Sequence, residues 1–209
     1  MAARAQRGIV ASRGPSPRRR AGDTRTRILD VAERLVQVRG FNGFSYADVA
    51  AELAITKASL HHHFPSKAGL GEALIARYAE RFTDALAAID ADGAAAPAKL
   101  DAYADLYTGV LREGRMCLCG MLAAEYETLP VPIRGAVVAF LDENEDWLER
   151  VLEQGRNDGC LRFNGTAKET ARSILSGLEG SMLVARSRGE IESFQTVAAL
   201  LLKGLAGAI

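Results

Sequence analysis

Several things are scarce in these 209 residues, and each scarcity removes a class of protein. Three cysteines are an odd number with no framework spacing, so no disulfide scaffold is expected. Aromatics are 6% of the chain and prolines number six, and no alternating run of β-branched residues marks a strand. The longest apolar stretch, Val197 to Ile209, is short and interrupted by Lys203 and glycines, so no membrane span is expected. The first 22 residues lack the apolar segment of a signal peptide. They are Arg-rich and acid-free, as transit peptides are, but Pro15 and Pro17 interrupt the amphipathic helix such a leader needs. A cytoplasmic protein with free thiols is the expectation. No glycine-rich phosphate loop follows a strand, and there is no nucleophile elbow and no His-Glu-x-x-His pair, which leaves an enzyme with little support.

What is abundant is alanine, 36 residues, within a chain that is 48% apolar and 25% charged. Alanine loses least on entering a helix, so this balance predicts an all-α protein. The net charge of zero hides a division. Residues 1–66 carry 11 Lys/Arg against 5 Asp/Glu, a net of +6, and residues 67–209 carry 15 against 21, a net of −6. A basic front on an acidic remainder points to an anionic partner at one end.

Periodicity and capping residues divide the chain into about nine helices. Residues 1–22, with six arginines and no acid, read as a flexible basic tail. Asp23 is placed as the cap of a first helix with Ile28, Leu29, Ala32, Leu35 and Val36 on one face, ending at Gly40. Ser45 and Asp48 have capping-box spacing before a short helix over about 46–53, and Thr56 can cap a third over about 57–63, stopped by Pro65. Ser66 caps a long fourth helix, Pro97 and Pro132 open later ones, and Thr166 with Glu169 forms another capping box. Two short amphipathic helices three residues apart are the frame of a helix-turn-helix, whose second helix enters the major groove by its N-terminal residues.

The residues that carry this frame are specific. Thr26-Arg27-Ile28-Leu29-Asp30-Val31-Ala32-Glu33, Gly40-Phe41, Phe44-Ser45-Tyr46-Ala47-Asp48-Val49-Ala50 and Thr56 through Lys67 resemble the DNA-binding domain of the TetR family of bacterial transcriptional regulators. The resemblance implies an N-terminal three-helix reader (23–68) and a larger helical effector-binding and dimerisation domain (69–209). It also implies a homodimer on double-stranded operator DNA, with an effector cavity that alters the spacing of the two readers. By position, Thr56, Lys57, Ala58 and Ser59 would face base edges or nearby phosphates, and His61, His62 and His63 phosphates and sugars. Lys67 would hold a phosphate, and Arg27, Ser45 and Tyr46 would lie near the duplex. Position 61 departs from the family, where Tyr is usual. Three successive histidines point about 100° apart on a helix and cannot share one metal ion, so no metal or other cofactor is expected.

In the larger domain, Tyr103, Tyr107, Leu111, Leu122, Tyr126, Phe140, Trp147 and Met182 are candidate lining for a small organic effector, although each is also a plausible core residue. The run Gly114 to Glu125 is similar to the matching segment of a TetR branch whose members respond to acrylate and N-ethylmaleimide-like electrophiles. Cys117, near a helix start and Arg115, is the expected reactive thiol of that reading. Ile174, Leu178, Ser181, Met182 and Ala185 on one helix, and Phe194, Val197, Ala198, Leu201 and Leu205 on the last, are expected to pair with a second copy in a four-helix bundle. A DNA-binding repressor released by an effector is the leading expectation. A non-specific or architectural DNA-binding protein and a helical enzyme are the alternatives.

Overall fold

The structure, a computed structural model, describes residues 17–205, with side chains from residue 23 onward. Nine α-helices and one 3-10 turn make up the described residues, with no β-strand among them. The helices are α1 (Pro17–Arg39), α2 (Tyr46–Leu53), α3 (Lys57–His63), α4 (Lys67–Ala91), α5 (Ala96–Arg112), α6 (Leu118–Ala124), α7 (Val131–Asn157), α8 (Ala167–Arg188) and α9 (Ile191–Lys203). No described helix is long and apolar enough to cross a membrane. The basic-tail reading lies outside the described residues up to position 16, but its last part is corrected: the helix already begins at Pro17. Proline is tolerated at a first helical position, and the arginines and alanine after it are good helix formers. Asp23 is therefore inside α1 and caps nothing.

The other caps do the work their residue types suggest. Thr56 Oγ1 accepts from Ser59 N at 3.1 Å, Ser66 Oγ from Gly69 N at 3.0 Å, and Thr166 Oγ1 from Glu169 N at 3.1 Å. Each satisfies an amide that a helix start leaves orphaned. Asp48 Oδ2 accepts from both the backbone and the hydroxyl of Ser45, and those bonds hold its carboxyl below the usual range. Between α2 and α3 the chain turns on Ala54, at φ 53° and ψ 41°, a left-handed conformation unusual for a residue with a Cβ.

Helices α1, α2 and α3 enclose a small core of Ile28, Leu35, Val36, Phe44, Val49, Leu60 and Phe64. Helix α4 starts in that unit and runs on into the larger one, tied to α1 by Arg77, which reaches Asp30 and the buried Glu33, each at 2.7 Å; Arg81 also reaches Glu33. In the larger unit α8 packs against α7 and α9, while α5 packs against α7, α8 and α9. This corrects the expected dimer faces. Ile174, Leu178, Ser181, Met182, Ala185, Phe194 and Ala198 are buried within the single chain. Gly177 lets Leu201 of α9 lie against α8, where a Cβ would approach its Cδ1 to 2.7 Å. On these two helices the large apolar side chains left in solvent are Leu183 and Val184 on α8 and Val197 and Leu200 on α9, Leu200 with 69% of its surface exposed. Helical period explains the shift: both helices are apolar on more than one face, and only packing decides which face is used inside.

Candidate functional site

The second and third helices present the surface expected of a reader. Thr56, Lys57, Ala58, His61 and His62 are exposed, Ser59 and His63 half-buried, and Leu60 between them is buried in the small core. Arg27 and Ser45 are also exposed. Arg25 lies over the Phe64 ring at 4.6 Å, which brings α1 beside the end of α3. Burial, then the charges of His62 and Arg25, push the pKa of His63 down, so it is neutral at pH 7.

Two expected DNA contacts are engaged inside the protein. The Tyr46 hydroxyl donates to the carbonyl of Phe64 at 2.8 Å, and its ring meets that of His61 at 4.8 Å. Tyr46 thus fastens α2 to the end of α3. Lys67 Nζ donates to the carbonyls of Phe41 at 2.6 Å and Phe44 at 2.5 Å and stands over both rings. Burial pulls its pKa down, against the opposing influence of Glu125 and Asp48. An ammonium holding two carbonyls and two aromatic faces is a clamp on the α1–α2 turn, a role the sequence did not suggest for it.

The same turn is gripped from the other side. Glu125, just past α6, accepts from the backbone N–H of Phe41 and, at 3.3 Å, of Asn42. Asn42 Nδ2 donates to Thr128 Oγ1 at 2.7 Å. Arg186 of α8 donates to the carbonyls of Gln37, at 2.9 Å, and Val38, at the C-terminal end of α1. A cation there completes orphan carbonyls and favours the negative end of the helix dipole. Glu125 and Arg186 therefore join the reader to the larger unit. Sequence reading missed both, because neither partner is a side chain and the separations are 84 and about 149 positions.

Within the larger unit Tyr103 and Tyr107 share a hydrogen bond at 2.9 Å, and Tyr103 also donates to the buried Asn144 at 3.1 Å. Trp147 stacks on Tyr103 at 5.4 Å, and Phe82 contacts Tyr103, Tyr107 and Phe140. Phe140 and Trp147 also line a groove of about 420 Å³ between α4 and α7. Tyr103, Tyr107, Phe140 and Trp147 are thus buried in one region; Leu122 and Met182 are buried as well, and Leu111 lies beside Arg115 and Ala185. Tyr126 is corrected. It stands on the 3-10 turn Tyr126–Thr128, 36% exposed under Arg134, where the chain leaves α6 for the α7 prolines.

The environment expected for Cys117 is also corrected. The residue is itself the N-cap of α6, its Sγ accepting from Gly120 N at 3.4 Å, and it is 1% exposed. Arg115 pairs with Glu113 at 3.3 Å instead of with the thiol. Burial, then the neighbouring Glu179, pushes the Cys117 pKa well up, so it is a thiol and not a thiolate. Cys119 is equally buried, and Cys160 is half-exposed. Glu179 was not singled out in the sequence. Both of its carboxylate oxygens are buried beside the Cys117 thiol, although the stem of the side chain is partly exposed. Its pKa is pushed up to about 7 by burial, against a hydrogen bond from the Cys117 thiol.

A helix-turn-helix with an exposed polar and basic second helix, bolted through its α1–α2 turn to a larger bundle, defines a DNA-binding regulator. Residues 28–74 match the model for bacterial regulatory proteins of the tetR family, and residues 96–201 the model for the tetracyclin repressor-like C-terminal domain. The chain belongs to the TetR family; it is a DNA-binding transcriptional regulator and not an enzyme. A TetR-family regulator from Agrobacterium tumefaciens shares 31% identity over 90% of this chain and 100% of its own, with a TM-score of 0.87. One from Legionella pneumophila shares 34% over 87% and 97%, with a TM-score of 0.80. The transcriptional repressor NemR of Escherichia coli is 27% identical over 85% of this chain and 91% of its own, and the crystal structure of its reduced form superposes with a TM-score of 0.76.

Proposed function

We propose that this chain is a cytoplasmic homodimeric repressor that grips a near-palindromic operator and releases it when a small organic effector enters the larger unit. Residues 23–68 act as the reader and residues 69–209 as the sensing and pairing part. Thr56, Lys57, Ala58 and Ser59 meet base edges or adjacent phosphates, and Arg27, Ser45, His61, His62 and His63 flank them along the backbone. The observation that carries this reading is the exposed N-terminal face of α3, with its turn held by Lys67 and Glu125 to helices of the sensing part. A second copy covers Leu183, Val184, Val197 and Leu200, with the half-buried Leu201 and Leu205 at the margin. The effector acts among α4, α6, α7 and α8, and because Glu125 directly follows α6, a displacement of α6 reaches the reader directly.

The test is a mobility-shift titration on the DNA upstream of the chain's own gene, against unrelated duplexes at several salt concentrations. Operator binding at least about 10³ tighter than non-specific binding is expected. Ser59→Ala should change which operator variants are preferred. Equal affinity for all duplexes, with a steep salt dependence, would make the protein an architectural DNA binder instead.

A further inference from the structure

Residues 67–209 carry more acids than bases, yet three of their arginines meet at one cavity. Arg112 ends α5, Arg115 follows it, and Arg186 lies near the end of α8; together they border a space of about 280 Å³ between α5, α8 and the start of α9. Its apolar walls are Leu111, Ala185 and Ile191. The helix ends do not call for these charges. The last carbonyls of α5, those of Val110 and Leu111, already accept from the backbone N–H of Glu113, Gly114 and Arg115, and those of Ala185 and Arg186 near the end of α8 accept from Glu190 and Gly189. Acids of the chain scarcely answer them either. Arg115 meets Glu113 at 3.3 Å, an outward pair in which Glu113 keeps 62% of its side chain in solvent. Arg186 gives its two terminal nitrogens to the carbonyls of Gln37 and Val38. The Arg112 side chain is exposed and makes no ion pair or hydrogen bond among the described residues. The groove between α4 and α7 is the reverse case, since Asp90, Glu143 and Asp146 face it against Arg150 alone.

We infer that the cavity between the ends of α5 and α8 binds a small organic carboxylate with an apolar body. The carboxylate lies between the guanidinium groups of Arg112 and Arg115, whose planar forks match its two oxygens, and Leu111, Ala185 and Ile191 take the body. A guanidinium only donates and stays charged, so the site needs an anion and not merely a polar group. It is separate from the region among α4, α6, α7 and α8 proposed for the effector. Leu111, expected from the sequence among the effector-lining residues, belongs to this second site. The third arginine gives the site a consequence. Arg186 borders the cavity and holds the end of α1, so the occupant touches the same side chain that joins the reader to the larger unit.

Benzoate and its neutral isostere benzamide are the probes, applied to the full chain without DNA, so the outcome is independent of whether the protein binds an operator. At about pH 7 and about 10 mM, benzoate should raise Tm by at least about 2 °C over sodium chloride at the same ionic strength, and benzamide should not. Arg112 holds nothing in the fold, and Arg112→Gln should weaken benzoate binding at least about tenfold in a calorimetric titration. A second measurement needs no variant. In an amide NMR correlation spectrum benzoate should shift the backbone N–H signals of Gly114, Gly189 and Ile191, and leave the indole N–H of Trp147, in the α4–α7 groove, in place. Benzamide or chloride acting as strongly as benzoate, no response to benzoate, full binding by Arg112→Gln, or a shift of the Trp147 indole N–H in place of those three would each overturn the assignment.

Discussion

Lys67 and Glu179 show how far a side chain's chemistry depends on what surrounds it. By residue type Lys67 is a phosphate ligand; by position it holds two carbonyls. Hydrogen bonds from a charged donor contribute about 1.5–3 kcal/mol each, and Lys67 makes two, so Lys67→Met should destabilise the protein by about 3 kcal/mol or more in urea unfolding. Its operator affinity should fall while the slope of log affinity against log salt stays constant. A slope reduced by about one with unchanged stability would return Lys67 to the phosphate backbone. Glu179 gives a pH signature of definite sign. Its carboxyl titrates near 4.5 when unfolded and at about 7 in the folded chain. The folded state therefore binds the extra proton between those values, and the stability this contributes is complete below about pH 4.5 and lost as pH rises through 7. The loss amounts to about 3 kcal/mol by pH 8, at about 1.4 kcal/mol per unit. Glu179→Gln should flatten the stability profile between pH 5 and 8, measured by urea denaturation. An unchanged profile would show that another group is responsible.

At the scale of elements, the informative junction is the turn between α1 and α2. It is short, it carries the reader, and it is held by three elements that lie far from it in sequence: α4 through Lys67, the end of α6 through Glu125, and α8 through Arg186. A turn whose amides bond to a distant carboxylate is ordered only while that carboxylate is in place. Glu125→Ala should speed hydrogen exchange at the amides of Phe41 and Asn42 by at least about tenfold, leaving the α8 amides protected. Exchange at those two amides no faster than in the parent would mean that Lys67 alone orders the turn. The capped helices α2, α3, α4 and α8 were legible in the sequence because capping is local: Thr56, Ser66 and Thr166 each bond an amide three residues on. The start of α1 was misplaced because Asp23 looks like a cap from its type, while the helix had begun six residues earlier at Pro17.

For the whole molecule, the question is which surface a second copy covers. The chain buries the helix faces richest in apolar residues against its own α5 and α7, and leaves a narrower strip of Leu183, Val184, Val197 and Leu200 outside. A dimer built on that strip should be split by charge. Leu200→Glu combined with Val184→Glu is expected to sediment as a 22.4 kDa monomer with a native circular dichroism spectrum, and to lose high-affinity operator binding because two half-sites are no longer read together. A variant that stays dimeric would place the interface elsewhere.

The sequence by itself determined the helical class, most of the helix boundaries, the helix-turn-helix and its exposed α3 residues, because these follow from period, capping and a short-range motif. It also placed Tyr103, Tyr107, Phe140 and Trp147 in one buried region. Tertiary structure alone decided which of several apolar faces of α8 and α9 turn inward, that Cys117 is shut away as a thiol, that Lys67 holds two carbonyls, and that the Glu179 carboxylate is buried beside that thiol. Each of these depends on contacts between segments distant in the chain, where burial sets the charge state and competition among similar surfaces sets the packing, and neither quantity is written in any local run of residues.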